Sequence, residues 1–190
     1  DVPAPYIPSV DQPDLNLPAM NRDSIYDHIL DDLALAGSLL PWRGDSGVTA
    51  DERITKGAAK ALRARIALFR GGYSLRADSR QMERPADYLK YYQIARDECN
   101  DIINSGKHGL NPSFMAVFKD NLDAHRLEPN GEILFQVALS GGNGVSDGRV
   151  GFIDGIRTKC NGMESEGGLP MDFYKLDSRV RRRDVTIASY

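Results

Sequence analysis

The chain has 190 residues and a mass of 21.0 kDa, with 24 Lys+Arg against 27 Asp+Glu and 41% hydrophobic content. Such a length buries about 70% of the unfolded surface, and such a composition excludes disorder, collagen and a disulfide scaffold. A net charge of −3 and a pI near 5.6 argue against a nucleic-acid binder, and no apolar run approaches the ~18 residues of a membrane span.

Residues 1–20 carry Pro3, Pro5, Pro8, Pro13 and Pro18 and read as an extended arm, because proline fixes φ and restricts the residue before it. Asp1 at the start, and a strand-like run over Val185–Tyr190 at the end, suggest a piece of a longer protein. Ser24 with Asp27 three residues later is a helix-start signal. Ile25, Ile29, Leu33, Ala36 and Leu40 then recur at helical spacing, and Pro41 stops the run. A loop with Gly44, Asp45, Ser46 and Gly47 leads to Thr55, which is placed to cap a second helix. Its apolar stripe is Ala58, Leu62, Ile66 and Phe69, and Gly71-Gly72 ends it. The same helix is rich in alanine, which lets a neighbour approach closely.

Arg76–Arg84 is polar and reads as an exposed insertion. Pro85 is placed as the first-turn proline of a third helix. The expected inward face of that helix is Tyr88, Tyr92, Ala95, Cys99 and Ile102, with Gly106 as the stop. Phe114, Val117 and Phe118 suggest one or two more helical turns. Glu132–Leu139 (EILFQVAL), bounded by Gly131 and Gly141-Gly142, reads as a strand. Residues 140–168 are glycine-rich, without periodicity, and read as a long irregular loop of the kind that often carries function.

Chemical motifs are scarce. Gly142-Asn143-Gly144 with Gly148 misses the dinucleotide spacing, and Gly151 and Gly155 interrupt any helix behind it. His28, His108 and His125 form no metal-ligand spacing, and Cys99 and Cys160 form no CxxC pair. No GxSxG is present. Paired carboxylates cannot be recognised from sequence, since their separation is set in three dimensions. Arg179, Arg181, Arg182 and Arg183 lie between Asp177 and Asp184 and read as a solvated, self-paired segment. Cys99 reads as a small buried residue. Trp42, just after Pro41, either stacks on a sugar ring or caps the end of the helical core.

The second and third helices resemble a tetratricopeptide unit. Ala58, Leu62 and Ile66 with Gly71-Gly72-Tyr73 look like its first helix and turn, and Tyr92, Ala95 and Cys99 like its second. NRDSIYDHILDDLALAGSLLP, ITKGAAKALRARIALF, YYQIARDECNDIINSGKHGL, EILFQVALS and GLPMDFYKLDSRVRRRDVT, in that order, resemble the SusD/RagB family of nutrient-binding outer-membrane lipoproteins. The resemblance covers most of residues 21–190 and rests on order and spacing rather than on one motif.

It implies a mainly α chain, with a tetratricopeptide-like α-α superhelix, a long irregular loop region and a few short strands. The chain would be one partial domain, with an arm over 1–20, helical repeats over 21–106 and a loop-rich part over 107–190. The implied function is glycan or nutrient capture on the cell surface, without catalysis or cofactor. The implied partner is a SusC-like TonB-dependent outer-membrane transporter, with membrane attachment through a lipid anchor upstream of Asp1. Candidate ligand residues are Asn143, Asp147, Arg149 and Phe152 in the long loop, with Trp42 apart from them, because a ring beside hydrogen-bonding groups suits a sugar. A tetratricopeptide-like interaction scaffold and a glycoside hydrolase are the rival expectations.

Overall fold

A computed structural model describes residues 2–14, 16–45, 47–48, 53–122 and 126–137, together with the backbone of Lys159–Cys160 and Met163–Glu164. The described residues are mainly helical, as expected. The chain divides into two units, Asp1–Asn111 with Leu127–Gln136, and Pro112–Arg126 with Val137–Tyr190.

In the first unit a short 3-10 turn, Ser9–Asp11, lies in the proline-rich arm. The arm returns on itself through a bridge between Val2 and Met20, and Tyr6 packs on the His28 ring at 3.8 Å between centroids. Helix α1 spans Arg22–Leu39. Its cap is Asn21, whose side chain accepts from the Asp23 amide, and not Ser24, which lies inside the first turn. A capping residue three positions upstream satisfies the first free N–H groups, so the helix starts earlier than the Ser24 signal.

Helix α2, Lys56–Gly71, begins where expected, with the Thr55 hydroxyl accepting from the Ala58 amide. Its inward face differs from the expected one. The buried positions are Gly57, Ala59, Ala64, Ala67, Arg70 and Gly71, whereas Leu62 and Phe69 are about half exposed. Two helices pack against α2, and the residues turned toward them are the small ones. Of the expected stripe, Ile66 still packs against the core, while Leu62 and Phe69 are displaced to the outer face.

Between α2 and the next helix, β1 (Ser74–Leu75) pairs antiparallel with β2 (Met82–Glu83). The insertion is thus a small hairpin, and Arg76 within it is half-buried against Asp23. Helix α3, Tyr88–Asn104, starts after Asp87, which places Pro85 before the helix rather than in its first turn. Gly106, at φ +65°, supplies the left-handed residue after the C-cap Ser105.

The inward face of α3 is Tyr91, Ala95 and Glu98, with Ile94 half-buried. Tyr92 and Cys99 are exposed, so Cys99 is not the buried residue that the apolar spacing suggests. The core joins Leu30 of α1, Ala64 and Ala67 of α2, and Tyr91 and Ala95 of α3. A core with so few large residues leaves room for ion pairs, and α2 sits between its neighbours with charged links on both sides.

The second unit holds a π-helical segment, Ala116–Leu122, with Val117 buried and the Phe114 and Phe118 rings 4.9 Å apart. Asn121 donates to the Ala116 carbonyl. This meets the expectation of a few helical turns after Pro112. Farther on, β3 (Lys159–Cys160) and β4 (Met163–Glu164) pair antiparallel within the glycine-rich stretch read as irregular. Glu132–Leu139 is not a strand over its described part: residues 132–137 join no ladder among the described residues, and 138–139 lie outside them. Apolar propensity supplies only half of a strand; the other half is a partner.

Candidate functional site

Of the five ligand residues expected from sequence, Asn143, Asp147, Arg149 and Phe152 lie outside the described residues. Trp42 lies inside them, and its surroundings are well defined. Pro41 ends the approach from α1, and its carbonyl accepts from the Lys56 amide at 2.8 Å, joining the loop to the first turn of α2. The loop closes on itself through Gly44 N–H to the Val48 carbonyl and Asp45 N–H to the Trp42 carbonyl. Gly44 and Gly47 take the positive φ values the closure needs.

Around the half-buried indole, the His108 ring lies 6.3 Å away, tilted by 56°, and the Lys56 ammonium sits 5.9 Å from the ring centroid. The indole therefore packs over the start of α2. The structural alternative for Trp42, closing the end of the helical core, describes these contacts.

Beside it lies a buried polar hub that the sequence does not advertise. Glu128 is fully buried, at 0% exposure. Its Oε1 accepts from Asn111 Nδ2 at 2.9 Å and from the Asn130 amide at 3.0 Å, and its Oε2 from the Glu132 amide at 2.8 Å. Burial alone pushes this carboxyl up, but the Asn111 side chain and the Asn130, Glu132 and Gly131 amides favour its charged form. The net result holds it below the usual value. Arg43 donates to the Glu128 carbonyl, and Asn111 N–H donates to Glu132 Oε2 at 2.7 Å. Glu128-Pro129-Asn130-Gly131 is the kind of segment that turns, and Gly131 completes it at φ +73°.

His108 closes the same corner. Its Nδ1 lies 2.8 Å from the Gly131 carbonyl, which can only accept, so Nδ1 carries the proton of this bond. Nε2 is buried without a hydrogen-bond partner and rests on Gly57, where a Cβ would stand 2.3 Å from it. Glu128 is thus an ionised anchor whose carboxylate bonds to the protein itself, and His108 has both nitrogens turned inward. Neither presents a group to a substrate. Among the described residues no group of three His, Cys, Asp or Glu could hold a metal, and no helix is long and apolar enough to cross a membrane.

The helix interfaces carry a second set of charges. Arg70, 7% exposed, grips Asp27 through Nε (3.0 Å) and Nη2 (3.1 Å). Its Nη1 lies 3.2 Å from Asp23 Oδ2, an ion-pair contact that forms no hydrogen bond. Tyr91 donates to Asp27 Oδ1 at 2.9 Å, and the Arg70 guanidinium stacks 4.4 Å over the Tyr91 ring. Burial and the bond to Asp27 push the Tyr91 phenol up to about 12. For Asp27, burial pushes upward, but Arg70 and Tyr91 outweigh it and the carboxyl lies below its usual range.

Toward α3, Lys60 bridges Glu98 (2.7 Å) and Asp101 (2.8 Å), while Arg63 pairs with Glu98 and also donates to the Leu30 carbonyl of α1. These links clamp α1, α2 and α3 together. The basic residues of α2 were visible in sequence as Lys60, Arg63 and Arg70, at spacings of three and seven. That period places them on one face, but their acidic partners are named only by the packing.

No family model, curated protein or solved structure matches the chain.

Proposed function

We propose that the chain belongs to a SusD/RagB-like nutrient-binding protein that captures glycans at the cell surface without catalysis. In this reading it is held in the outer membrane by a lipid anchor and works with a TonB-dependent transporter. The helices form part of a tetratricopeptide-like superhelix, and the glycine-rich segment carries the ligand residues Asn143, Asp147, Arg149 and Phe152. The observation that supports it most is the α2–α3 pair. Ala64, Ala67 and Gly71 face Tyr91 and Ala95, so two helices of similar length pack through small residues, as in a helical repeat. Trp42 is assigned to the scaffold, on the contacts it makes with His108 and Lys56.

The test is calorimetric titration of the chain with a panel of neutral and acidic oligosaccharides, beside the F152A and R149A variants. Binding of one panel member, weakened about tenfold or more by either substitution, is the expected result. Unchanged affinity in both variants removes the loop assignment, and hydrolysis of a panel member overturns the non-catalytic reading.

One observation favours a second reading. Leu62 and Phe69 stand about half exposed on the outer face of α2, an apolar surface that suits a scaffold binding protein partners on its helices. That reading expects L62D and F69D, rather than changes in the glycine-rich segment, to abolish partner binding.

A further inference from the structure

The hairpin and the start of α3 assemble a second aromatic surface, remote in sequence from the glycine-rich segment. Ser74 and Glu83 are register partners in the β1–β2 ladder, so Tyr73 and Arg84 emerge next to each other at its open end. The Arg84 guanidinium lies 3.6 Å from the Tyr88 ring centroid and 5.3 Å from that of Tyr73. Tyr88 in turn meets Tyr92, one helical turn on, edge to face at 5.5 Å. Tyr92 is held over Gly71, where a Cβ would be 3.2 Å from its ring. Arg84 is exposed, and Tyr73 is 63% exposed.

Two features set this arginine apart. Its plane is restrained by stacking, which removes part of the entropy lost when a flexible side chain binds a ligand. Its N–H donors also have no ion-pair or hydrogen-bond partner among the described residues. The nearby acids in sequence are not paired with it: Glu83 accepts from Ser79, and Asp87 precedes α3. Every other arginine of the hairpin and helix core that faces inward is paired, as Arg63, Arg70 and Arg76 show.

We propose that Arg84, with Tyr73 and Tyr92, forms a binding site for the carboxylate of an acidic sugar. The guanidinium edge holds the carboxylate in a two-point bond, and the exposed tyrosine rings take the sugar's apolar face. The ligand class is therefore a uronate-containing oligosaccharide. This assignment deepens the nutrient-binding reading and rests on it.

The test titrates the 190-residue chain with tetragalacturonate, its methyl ester, maltotetraose and an oligoglutamate peptide. Tetragalacturonate is expected to bind, more weakly as salt is raised, and the ester about tenfold or more weaker. R84K keeps the charge but loses the planar fork, and Y73A removes a ring. Each is expected to weaken tetragalacturonate about tenfold while leaving the helical circular dichroism unchanged. Unchanged affinity in both variants overturns the site. Oligoglutamate binding as tightly as tetragalacturonate, with the same dependence on Arg84, also overturns it in favour of an acidic peptide. Maltotetraose bound and tetragalacturonate ignored removes this site while sparing the nutrient-binding reading. Binding of no sugar at all removes both.

Discussion

Replacing Glu128 with glutamine changes one buried oxygen into an NH2 group and almost nothing in volume. The carboxylate accepts two N–H donors at Oε1, from Asn111 and Asn130, and one at Oε2, from Glu132. Glutamine keeps its oxygen where two donors converge, so the Glu132 amide then faces another donor. One buried N–H without an acceptor costs about 1–3 kcal/mol, and the two remaining bonds lose their charge assistance. The expected total is about 3 kcal/mol, at an Oε cluster with no water exposure to soften it.

Urea unfolding followed by circular dichroism measures this at pH 7, and amide exchange at Asn130 and Glu132 locates it. The pH dependence gives a second reading. Hydrogen bonding lowers the folded Glu128 below its ordinary value of 4.5, so its contribution is fully present above that value. It is lost as pH falls through the lowered folded value, because the folded state then takes up the proton. The gap between wild type and E128Q should therefore close in acid. A loss below about 0.5 kcal/mol at pH 7, or a gap of constant size down to pH 2, would refute the account.

Gly57→Ala inverts the usual rule that alanine stabilises a helix by roughly 0.5–1 kcal/mol over glycine. Its Cβ would meet His108 Nε2 at 2.3 Å, so a loss of about 1–3 kcal/mol in thermal or urea melts is expected, relieved in G57A/H108A. Arg70→Lys loses the two-point grip on Asp27 and the stacking over Tyr91. It should cost about 1–2 kcal/mol, reduced by the 45% exposure of the Asp27 side chain, with equal stability to wild type refuting the clamp. Alkaline absorbance titration should show one tyrosine near 12, missing in Y91F; a Y91F curve that matches wild type would deny Tyr91 its bond to Asp27. In the C160S background, Cys99 should react with a thiol reagent in the folded state, and protection until unfolding would mean that α3 is turned about its axis.

The sequence alone determined where this chain breaks and where it coils. Pro41 ends the run of α1, Thr55 caps α2, Gly71-Gly72 stops it and Gly106 follows α3, because caps and stops are local chemistry read within a few residues. It also placed an arm ahead of α1 and helical turns after Pro112. Orientation was another matter. The largest apolar residues of α2 and α3 mark a stripe that includes Leu62, Phe69, Tyr92 and Cys99, and all four are exposed.

What turned the helices was close approach. Alanine and glycine let α1 and α3 reach α2, and the charges of Lys60, Arg63 and Arg70 had to meet Glu98, Asp101 and Asp27 once buried. Periodicity reports which residues share a face, but only a neighbour decides which face is inside. The same holds for Glu128, whose partners include Asn111, 17 residues away, and Arg43, 85 residues away, and for Arg84, whose stacking depends on a hairpin register. Local signals act within a turn of chain; buried charge and stacked rings are fixed by contacts that only the folded structure brings together.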